Sequence, residues 1–268
     1  MTYPLTAARI RAFLSARWAG CRIDCFDTLP STNRAAKLLG LEDAAVAPHG
    51  TLVIADEQTA GRGRMTRSWL SRPGEGLLMS LLLRPESLPS ENAAALVQLT
   101  ALAVCEACRS FGADALIKWP NDIVCGGKKI CGMLLEMSAE ENRVRFAVAG
   151  VGLNVSGYPY APDLPHAGCL DDACGHAVDR AEAAAVFLNR FEHDYDLWAE
   201  HGPAALDAPY RSLCVTLGSR VRVESLAENF EGTAVDLTAD GSLVVDADGE
   251  TRVVRAGDVS VRGLMGYV

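Results

Sequence analysis

Blocks of apolar residues, separated by short polar or glycine-containing stretches, predict an ordered series of helices and strands. Residues 1–20 carry arginines through an apolar stretch, which indicates a short amphipathic helix rather than a signal peptide. Ser31 or Thr32 can cap a second helix that ends near Gly40. One hydroxyl is enough for a cap, so capping alone leaves the run Ser-Thr-Asn without a full explanation.

The middle of the chain contains long apolar runs. Those at 50–58 and 76–84 predict buried strands, because neither alternates with polar residues. An alanine-rich run predicts a helix over 90–112, with Ser90 as its N-cap and Gly112 near its C-terminus.

Two β-hairpins follow this helix. Gly126 and Gly127 separate two strand-like runs, as in a two-residue turn of type I′ or II′. A second turn is expected at 139–142. Because side chains alternate along a strand, Lys128 and Lys129 must lie on opposite faces, so only one of them can point into a site.

The pattern changes twice more towards the C-terminus. Helical periodicity over 179–200 predicts a helix capped by Asp179. Beyond it, five short β-rich runs separated by turns indicate a small barrel. We therefore expect two domains, 1–212 and 213–268.

Composition narrows the class of protein. The chain is 49% hydrophobic, and no apolar run approaches the roughly 18 residues that span a bilayer. Nine scattered cysteines do not suggest a disulfide framework, and Cys105 and Cys108 are expected to be core residues despite their C-x-x-C spacing. This cysteine usage indicates a reducing cytoplasm.

The five histidines (49, 166, 176, 193 and 201) have no partner pattern, so we expect them on the surface or in loops. They support no Ser-His-Asp triad, and the sequence contains no cluster with zinc-ligand spacing. We therefore expect no metal site built by the protein itself.

Charge is unevenly distributed. The chain has a net charge of −9, yet 58–132 holds nine Lys/Arg and six Asp/Glu. Such a segment in an acidic protein favours a small anionic ligand over a long polyanion. Three of the four lysines also lie between 118 and 129, which suggests a need for compact ammonium groups there.

The stretch 58–69, "QTAGRGRMTRSW", lacks the third glycine of a dinucleotide fingerprint and the Gly-Lys-Ser/Thr of a P-loop. Gly61 and Gly63 permit positive φ and a close backbone approach to a ligand. Arg62 and Arg64 can then form bidentate bonds to a phosphate or carboxylate. The alternative is an exposed basic turn.

Two further motifs bring polar groups to strand ends. "KWPND" (118–122) places an amide and a carboxylate beside an ammonium group, as a structural turn with an ion pair would also do. Asp122 could instead hold a metal-bound phosphate or accept a proton from an incoming amine. "GVGLNV" (150–155) combines two glycines with Asn154, as a close-packed strand with a polar end would.

Taken together and in this order, "STN", "EQTAGRGR…RSW", "KWPND", "KKICGMLLE" and "GVGLNV" resemble the signatures of the biotin–protein ligases. The resemblance extends from about residue 20 to the C-terminus. It implies an α+β fold: a catalytic domain like that of class II aminoacyl-tRNA synthetases, with a mixed sheet, followed by an SH3-like β-barrel. It also implies that biotin and Mg-ATP form biotinyl-5′-adenylate, which a lysine of a biotin carboxyl carrier domain then attacks.

The resemblance assigns roles by motif position. The expected biotin-binding residues are Ser31, Thr32, Asn33, Gln58, Gly61, Arg62, Gly63, Arg64, Lys129 and Gly132. The expected nucleotide-binding residues are Arg64, Arg67, Trp69, Asn121, Lys129, Gly152 and Asn154, with Trp69 stacking on the adenine. The expected catalytic residues are Arg62, Arg64, Lys118, Lys129 and Asp122, the last orienting either the acceptor lysine or a phosphate-bound Mg²⁺.

The chain departs from the family pattern in two places. Thr66 stands where the family often has glycine. Only about 20 residues precede the first matched strand, against about 60 for the winged helix-turn-helix of bifunctional members, so we expect a monofunctional ligase without DNA binding through such a domain.

Two other functions are consistent with the same motifs. One is a lipoate– or octanoate–protein ligase, which belongs to the same superfamily. The other is a non-catalytic biotin sensor, which would use the same charged residues. Members of the family can pair through the catalytic sheet, so a homodimer is possible. No membrane association is expected.

Overall fold

The computed structural model describes residues 4–65, 67–157, 164–225, 228–256, 259–263 and 267. Within these residues the chain forms six α-helices and twelve strands. In order they are α1 (Ala7–Phe13), β1 (Ile23–Leu29), α2 (Thr32–Leu41), β2 (Thr51–Gln58), β3 (Gly76–Leu83), α3 (Ala94–Ser110), β4 (Leu116–Lys118), β5 (Asp122–Cys125), β6 (Lys128–Glu140), β7 (Arg143–Asn154), α4 (Leu170–Cys174), α5 (Arg180–His201), α6 (Ala204–Leu213), β8 (Arg220–Ser225), β9 (Asn229–Leu237), β10 (Leu243–Ala247), β11 (Glu250–Val254) and β12 (Val259–Gly263).

Seven strands form one mixed sheet in the order β1-β2-β3-β7-β6-β5-β4. Strands β1 and β2 are parallel, whereas the other neighbouring pairs are antiparallel. The predicted mixed α+β architecture is therefore confirmed. In the sheet, β3 pairs with β7 although about 70 residues separate them along the chain.

Helices cover both faces of this sheet. Leu52 and Ile54 pack in a core that includes α3 and α5, whereas Val53, between them, packs with Ala36 of α2. This arrangement explains why 50–58 and 76–84 are apolar at successive positions: strands buried on both faces do not alternate with polar residues.

Most of the predicted elements are confirmed. Ser31 caps α2 by accepting from the Arg34 N–H, and Asp179 caps α5 by accepting from the Ala181 N–H. The turn between β5 and β6 has φ values of +55° and +74° at Gly126 and Gly127, as type I′ requires.

The prediction that Ser90 caps the long helix is wrong. Ser90 begins a single 3-10 turn, Ser90–Asn92, and its neighbour Ala93 precedes α3 without a side-chain cap. Ser90 already belongs to that turn, so Ala93 rather than Ser90 occupies the cap position of α3.

The expectation that no apolar run approaches membrane-spanning length is also wrong, for one helix. Among the described residues, Ser90–Ser110 is long and apolar enough by length and composition. In the folded chain 61% of that window is buried, as expected for a core helix. Cys105 and Cys108 lie within it and are buried, as predicted, and burial raises the pKa of the Cys105 thiol to about 12.

His49 lies in a loop, as expected, and specific contacts hold its ring there. Its Nδ1 accepts a hydrogen bond from the Arg84 N–H, and the ring packs against Trp18 and Tyr195. Burial lowers the pKa of His49 to about 4, so the ring is neutral over the physiological range.

The five predicted C-terminal strands form a second antiparallel sheet in the order β11-β10-β9-β8-β12. This sheet contacts the first part of the chain at buried points. Trp119 donates from Nε1 to the Gly241 carbonyl at 3.0 Å and from its backbone N–H to the Thr216 hydroxyl at 3.0 Å.

Candidate active site

A cleft of about 360 Å³ opens above the middle of the large sheet. The N-terminus of α2, the loop after β2, the turn between β4 and β5, and the adjoining parts of β6 and β7 surround it. The following predicted residues line it: Ser31, Thr32, Asn33, Gln58, Arg62, Gly63, Arg64, Arg67, Trp69, Lys118, Asn121, Asp122, Lys129, Gly132, Gly152 and Asn154. Gly61 lines an adjoining opening of about 680 Å³ that shares the arginine loop.

A polar network lies at one end of the cleft, where α2 begins beside the end of β2. The Gln58 side-chain oxygen accepts from the Thr32 N–H at 2.7 Å and lies 3.1 Å from the Thr32 hydroxyl. The buried Ser80 hydroxyl is 2.8 Å from the Thr32 hydroxyl and donates to the Asn33 side-chain oxygen at 2.6 Å. These contacts fix the orientation of the polar groups at this end of the cleft.

Asn33 connects this network to the rim of the cleft. Its amide nitrogen donates to Glu136 Oε2 at 3.0 Å, and Lys37 Nζ lies 2.9 Å from Glu136 Oε1. An Arg62 nitrogen is 3.7 Å from the same carboxylate. Burial works to raise the pKa of Glu136, but Lys37, Asn33 and Arg62 outweigh it and hold that pKa below its ordinary value.

The arginine loop closes on itself as a short hairpin. Trp69 donates its N–H to the Gly61 carbonyl at 3.0 Å, and Gly63 donates to the Arg67 carbonyl at 2.7 Å. A Cβ on Gly61 would lie 2.4 Å from the Trp69 carbonyl oxygen, so this position excludes any side chain.

The glycines of the loop were expected to adopt positive φ, and this expectation is wrong. Neither Gly61 nor Gly63 adopts it; Met65 does, with φ of 53°. The role of Gly61 is close approach of two backbone segments, and Gly63 has ordinary room around it. Thr66 lies outside the described residues.

Trp69 lies on a floor made by two glycines that face each other across β6 and β7. Gly132 and Gly152 are register partners, and a Cβ on either would lie within 2.8 Å of the indole ring. The ring can rest there only because both positions lack side chains. The Lys129 ammonium is 5.4 Å from the centre of the ring.

The three loop arginines are held differently. Arg64 donates to the Asn121 side-chain oxygen at 2.9 Å and to the Ala256 carbonyl at 3.1 Å, so it reaches from the cleft to the C-terminal sheet. Arg62 is 59% exposed, and Arg67 is exposed as well. Asn121 in turn donates to the Met133 carbonyl at 2.8 Å.

Opposite charges meet at the other end of the cleft. Lys129 Nζ is 2.7 Å from Asp122 Oδ1, whereas Lys128 is exposed on the opposite face, so the predicted alternation is confirmed. Lys118 is buried and its ammonium lies 3.6 Å from the centre of the Tyr267 ring. Asn154 is buried and donates to the Gly168 carbonyl.

Several residues of the site were missed from the sequence: Ser80, Glu136, Gly150 and Tyr267. Ser80 is the one polar residue within an apolar strand, and Glu136 is the last residue of the motif "KKICGMLLE". Both could therefore have been predicted from the sequence. A Cβ on Gly150 would lie 2.0 Å from the Asn33 side-chain oxygen, which explains that glycine. Nothing in the sequence around Tyr267 indicates its place.

Among the described residues, no group of three or more His, Cys, Asp and Glu side chains could hold a metal ion. The polar groups of the cleft are instead three guanidinium groups, two ammonium groups, several amides and one carboxylate ion-paired to a lysine. Such a set suits ligands that carry carboxylate and phosphate groups.

Comparison with known proteins places this arrangement in a family. Residues 25–154 match the model of the "Biotin/lipoate A/B protein ligase family", and 216–262 match "Biotin protein ligase C terminal domain". Both matched segments carry parts of the structure that meet at the cleft. These matches indicate the class of enzymes that attach biotin or lipoate to proteins.

Individual relatives narrow the class. The chain is 36% identical to the bifunctional ligase/repressor BirA of Bacillus subtilis, covering 96% of this chain and 79% of that protein. It is 35% identical to the biotin–[acetyl-CoA-carboxylase] ligase of Mycobacterium tuberculosis, covering 96% and 95%. A solved biotin protein ligase of Aquifex aeolicus in complex with biotin and ATP superposes with a TM-score of 0.76 at 26% identity, covering 91% and 99%. The chain belongs to the biotin–protein ligase family.

Proposed function

We propose that this chain uses ATP to attach biotin to a lysine of a biotin carboxyl carrier domain, through a biotinyl-5′-adenylate. The observation that carries the proposal is the cleft itself. It joins a polar cradle, two arginines and a lysine–aspartate pair in one space, in a member of the biotin–protein ligase family. The lipoate alternative gains no support from the relatives found.

In the first half-reaction, a biotin carboxylate oxygen attacks the α-phosphorus of ATP, and pyrophosphate leaves with the bonding electrons. Two anions must approach each other, so the cations carry the catalysis. Arg62, Arg64 and Lys129 offset that repulsion and stabilise the charge that develops at phosphorus. Thr32, Gln58 and their neighbours hold the biotin head group, while Trp69, Asn121 and Asn154 hold the nucleotide.

In the second half-reaction, the amine of the acceptor lysine attacks the acyl carbon of the anhydride. The bond to the phosphate oxygen breaks and AMP leaves with its electron pair. In this proposal Asp122 accepts a hydrogen bond and then a proton from the amine. ATP enters with its Mg²⁺ as substrate, close to Asp122 and the phosphates.

The wider proposal follows the family. The catalytic part, residues 1–212, corresponds to a class II synthetase-like domain, and 213–268 to an SH3-like barrel. The acceptor is a cytoplasmic carboxylase. A homodimer would form through β1, which is one of the two edges of the large sheet and pairs only with β2 among the described strands.

The test is a transfer assay with purified carrier domain, ATP and labelled biotin or labelled lipoate. We expect label on the carrier from biotin, dependent on ATP and on the acceptor lysine. Label from lipoate alone would replace the proposal by a lipoate ligase. Tight biotin binding without any transfer would replace it by a sensor.

A further inference from the structure

Tyr267 occupies a place in the cleft that no sequence motif indicates. Its phenol donates to Asp122 Oδ2, while Lys129 contacts the other oxygen of the same carboxylate. Its ring lies over the Lys118 ammonium, 3.6 Å from the ring centre, and stacks on His166 at 5.6 Å. One side chain thus contacts both Lys118 and Asp122, and through Asp122 it is joined to Lys129.

These contacts restrict three charged groups that otherwise have rotational freedom. A carboxylate held by a hydroxyl on one oxygen and an ammonium on the other has a defined plane and direction. An ammonium over an aromatic face is held by the negative potential of the ring, more strongly where it is shielded from water, as the buried Lys118 is. The result is a preorganised cluster, which is what catalysis at a polar site requires.

We propose that Tyr267 is a positioning residue for the transfer half-reaction, holding Asp122 in the orientation that receives the acceptor amine. The inference rests on the proposed function and extends it to a residue of the C-terminal part of the chain. Adenylate formation depends on the arginines and Lys129. Lys129 contacts Asp122 Oδ1 whereas the phenol contacts Oδ2, so the ion pair of Lys129 survives loss of the Tyr267 hydroxyl and that step should be affected much less than transfer.

The experiment measures the two half-reactions separately. Single-turnover formation of biotinyl-5′-adenylate is followed without carrier, and decay of the preformed adenylate is followed after adding carrier. The variants are Tyr267→Phe, which removes only the hydroxyl; Asp122→Asn; and the double variant. Tyr195→Phe is the matched control, since its ring packs among Trp18, His49 and Trp198, away from the cleft.

We expect Tyr267→Phe to slow transfer about tenfold, in line with the loss of one hydrogen bond to a charged group, with adenylate formation within about twofold of wild type. The double variant should be no slower than Asp122→Asn, because the hydroxyl acts through that carboxylate. Tyr195→Phe should match the wild type in both steps.

The inference is overturned by unchanged transfer, by faster transfer, by equal losses in both steps, or by additive losses in the double variant. Faster transfer would make the phenol an obstacle to the acceptor lysine. Equal losses would indicate a general structural effect, which thermal melting of Tyr267→Phe would reveal. If the wild-type chain forms no adenylate, the proposed function fails instead, so the two failures are distinguishable.

Discussion

Arg64 shows how much one side chain of the loop can connect. Its guanidinium bonds to Asn121 of the "KWPND" turn and to the backbone at Ala256, so it is already oriented before any ligand enters. Orientation in advance lowers the entropic cost of using a long side chain in the transition state. Arg62 has a mostly exposed side chain, and its ion pair with Glu136 is long, at 3.7 Å.

Arg64→Ala should therefore lower the rate of adenylate formation at least tenfold, which corresponds to about 1.4 kcal/mol or more. Single-turnover kinetics with saturating biotin and ATP measure this effect. Arg72→Ala is the control, because Arg72 is exposed, pairs only loosely with Glu75 at 3.8 Å and does not line the cleft. Unchanged kinetics in Arg64→Ala would remove Arg64 from its assigned role.

Asp194 is a second residue whose environment has a measurable consequence. It is buried on α5, and among the described residues one of its oxygens has no hydrogen-bond partner. Burial, with a smaller contribution from Glu106, raises the pKa of Asp194 to about 7. The folded state therefore binds the proton more tightly than the unfolded state, and folding stability rises as the pH falls through 7 towards the unfolded value near 4.

Asp194→Asn should stabilise the protein at pH 8, where the wild-type carboxylate is charged and buried. The advantage should shrink as the pH falls below 7 and disappear only near pH 4, where the carboxyl is protonated in the unfolded as well as the folded state. Urea unfolding of both proteins at pH 8, 7, 6, 5 and 4 measures the difference. A difference that is independent of pH would show that ionisation of Asp194 is not its cause.

At the scale of elements, the backbone of β7 forms a surface against which side chains of the cleft pack. Its glycines alternate, so Gly150 and Gly152 lie on the same face, one beneath Asn33 and the other beneath Trp69. Because neither has a side chain, a polar group and an indole ring can both rest against the backbone.

Gly152→Ala should displace the Trp69 ring, since the new Cβ would lie 2.6 Å from it. If Trp69 stacks on the adenine, the KM for ATP should rise at least fivefold, on the order of 1 kcal/mol, with the KM for biotin changed less than twofold. In a Trp69→Ala background the same substitution should have little further effect. Equal changes in both KM values would contradict this account.

The sequence predicted elements well where the determining contacts are local. Caps at Ser31 and Asp179, and the Gly126–Gly127 turn, depend on neighbouring residues, and all three are confirmed. Ser90 was misplaced because a short 3-10 turn and a capped helix start look alike in sequence. The pairing of β3 with β7, and Tyr267 with Asp122, join residues far apart in the chain, and no local pattern encodes them.

The site was largely predictable for a different reason. The predicted site residues lie in short motifs with unusual composition, and most of them line one cleft, whereas their binding roles stay predictions. The contacts that these residues make were harder to predict from the sequence. The glycines of the loop were expected to supply positive φ, whereas Gly61 instead permits a close approach to the Trp69 carbonyl. That need arises only from the path of the folded loop.

At the scale of the whole molecule, Trp119 couples the two sheets. It is buried, lies within the "KWPND" turn and donates to the Gly241 carbonyl in the loop between β9 and β10. Arg64 makes a second connection to the same part of the chain through Ala256. The cleft therefore depends on the docking of the C-terminal sheet.

Trp119→Phe should cost about 1 kcal/mol of folding stability, since it removes one hydrogen bond and leaves a buried carbonyl without its donor. Trp119→Ala should cost about 3–5 kcal/mol through the cavity it leaves. Urea unfolding measures both. We expect protease cleavage within the C-terminal sheet to accelerate in parallel with the loss of adenylate formation. Full activity with a detached C-terminal sheet would contradict the coupling.

The position of Tyr267 also has a practical consequence for anyone who produces this enzyme. A peptide joined after residue 268 starts two positions along the chain from Tyr267, whose side chain lies in the cleft. An affinity tag at that position would therefore start close to the cleft. In the part of the chain that the structure describes, the segment around α1 contributes no residue to the cleft lining, so a tag placed before α1 is the safer choice for kinetic work.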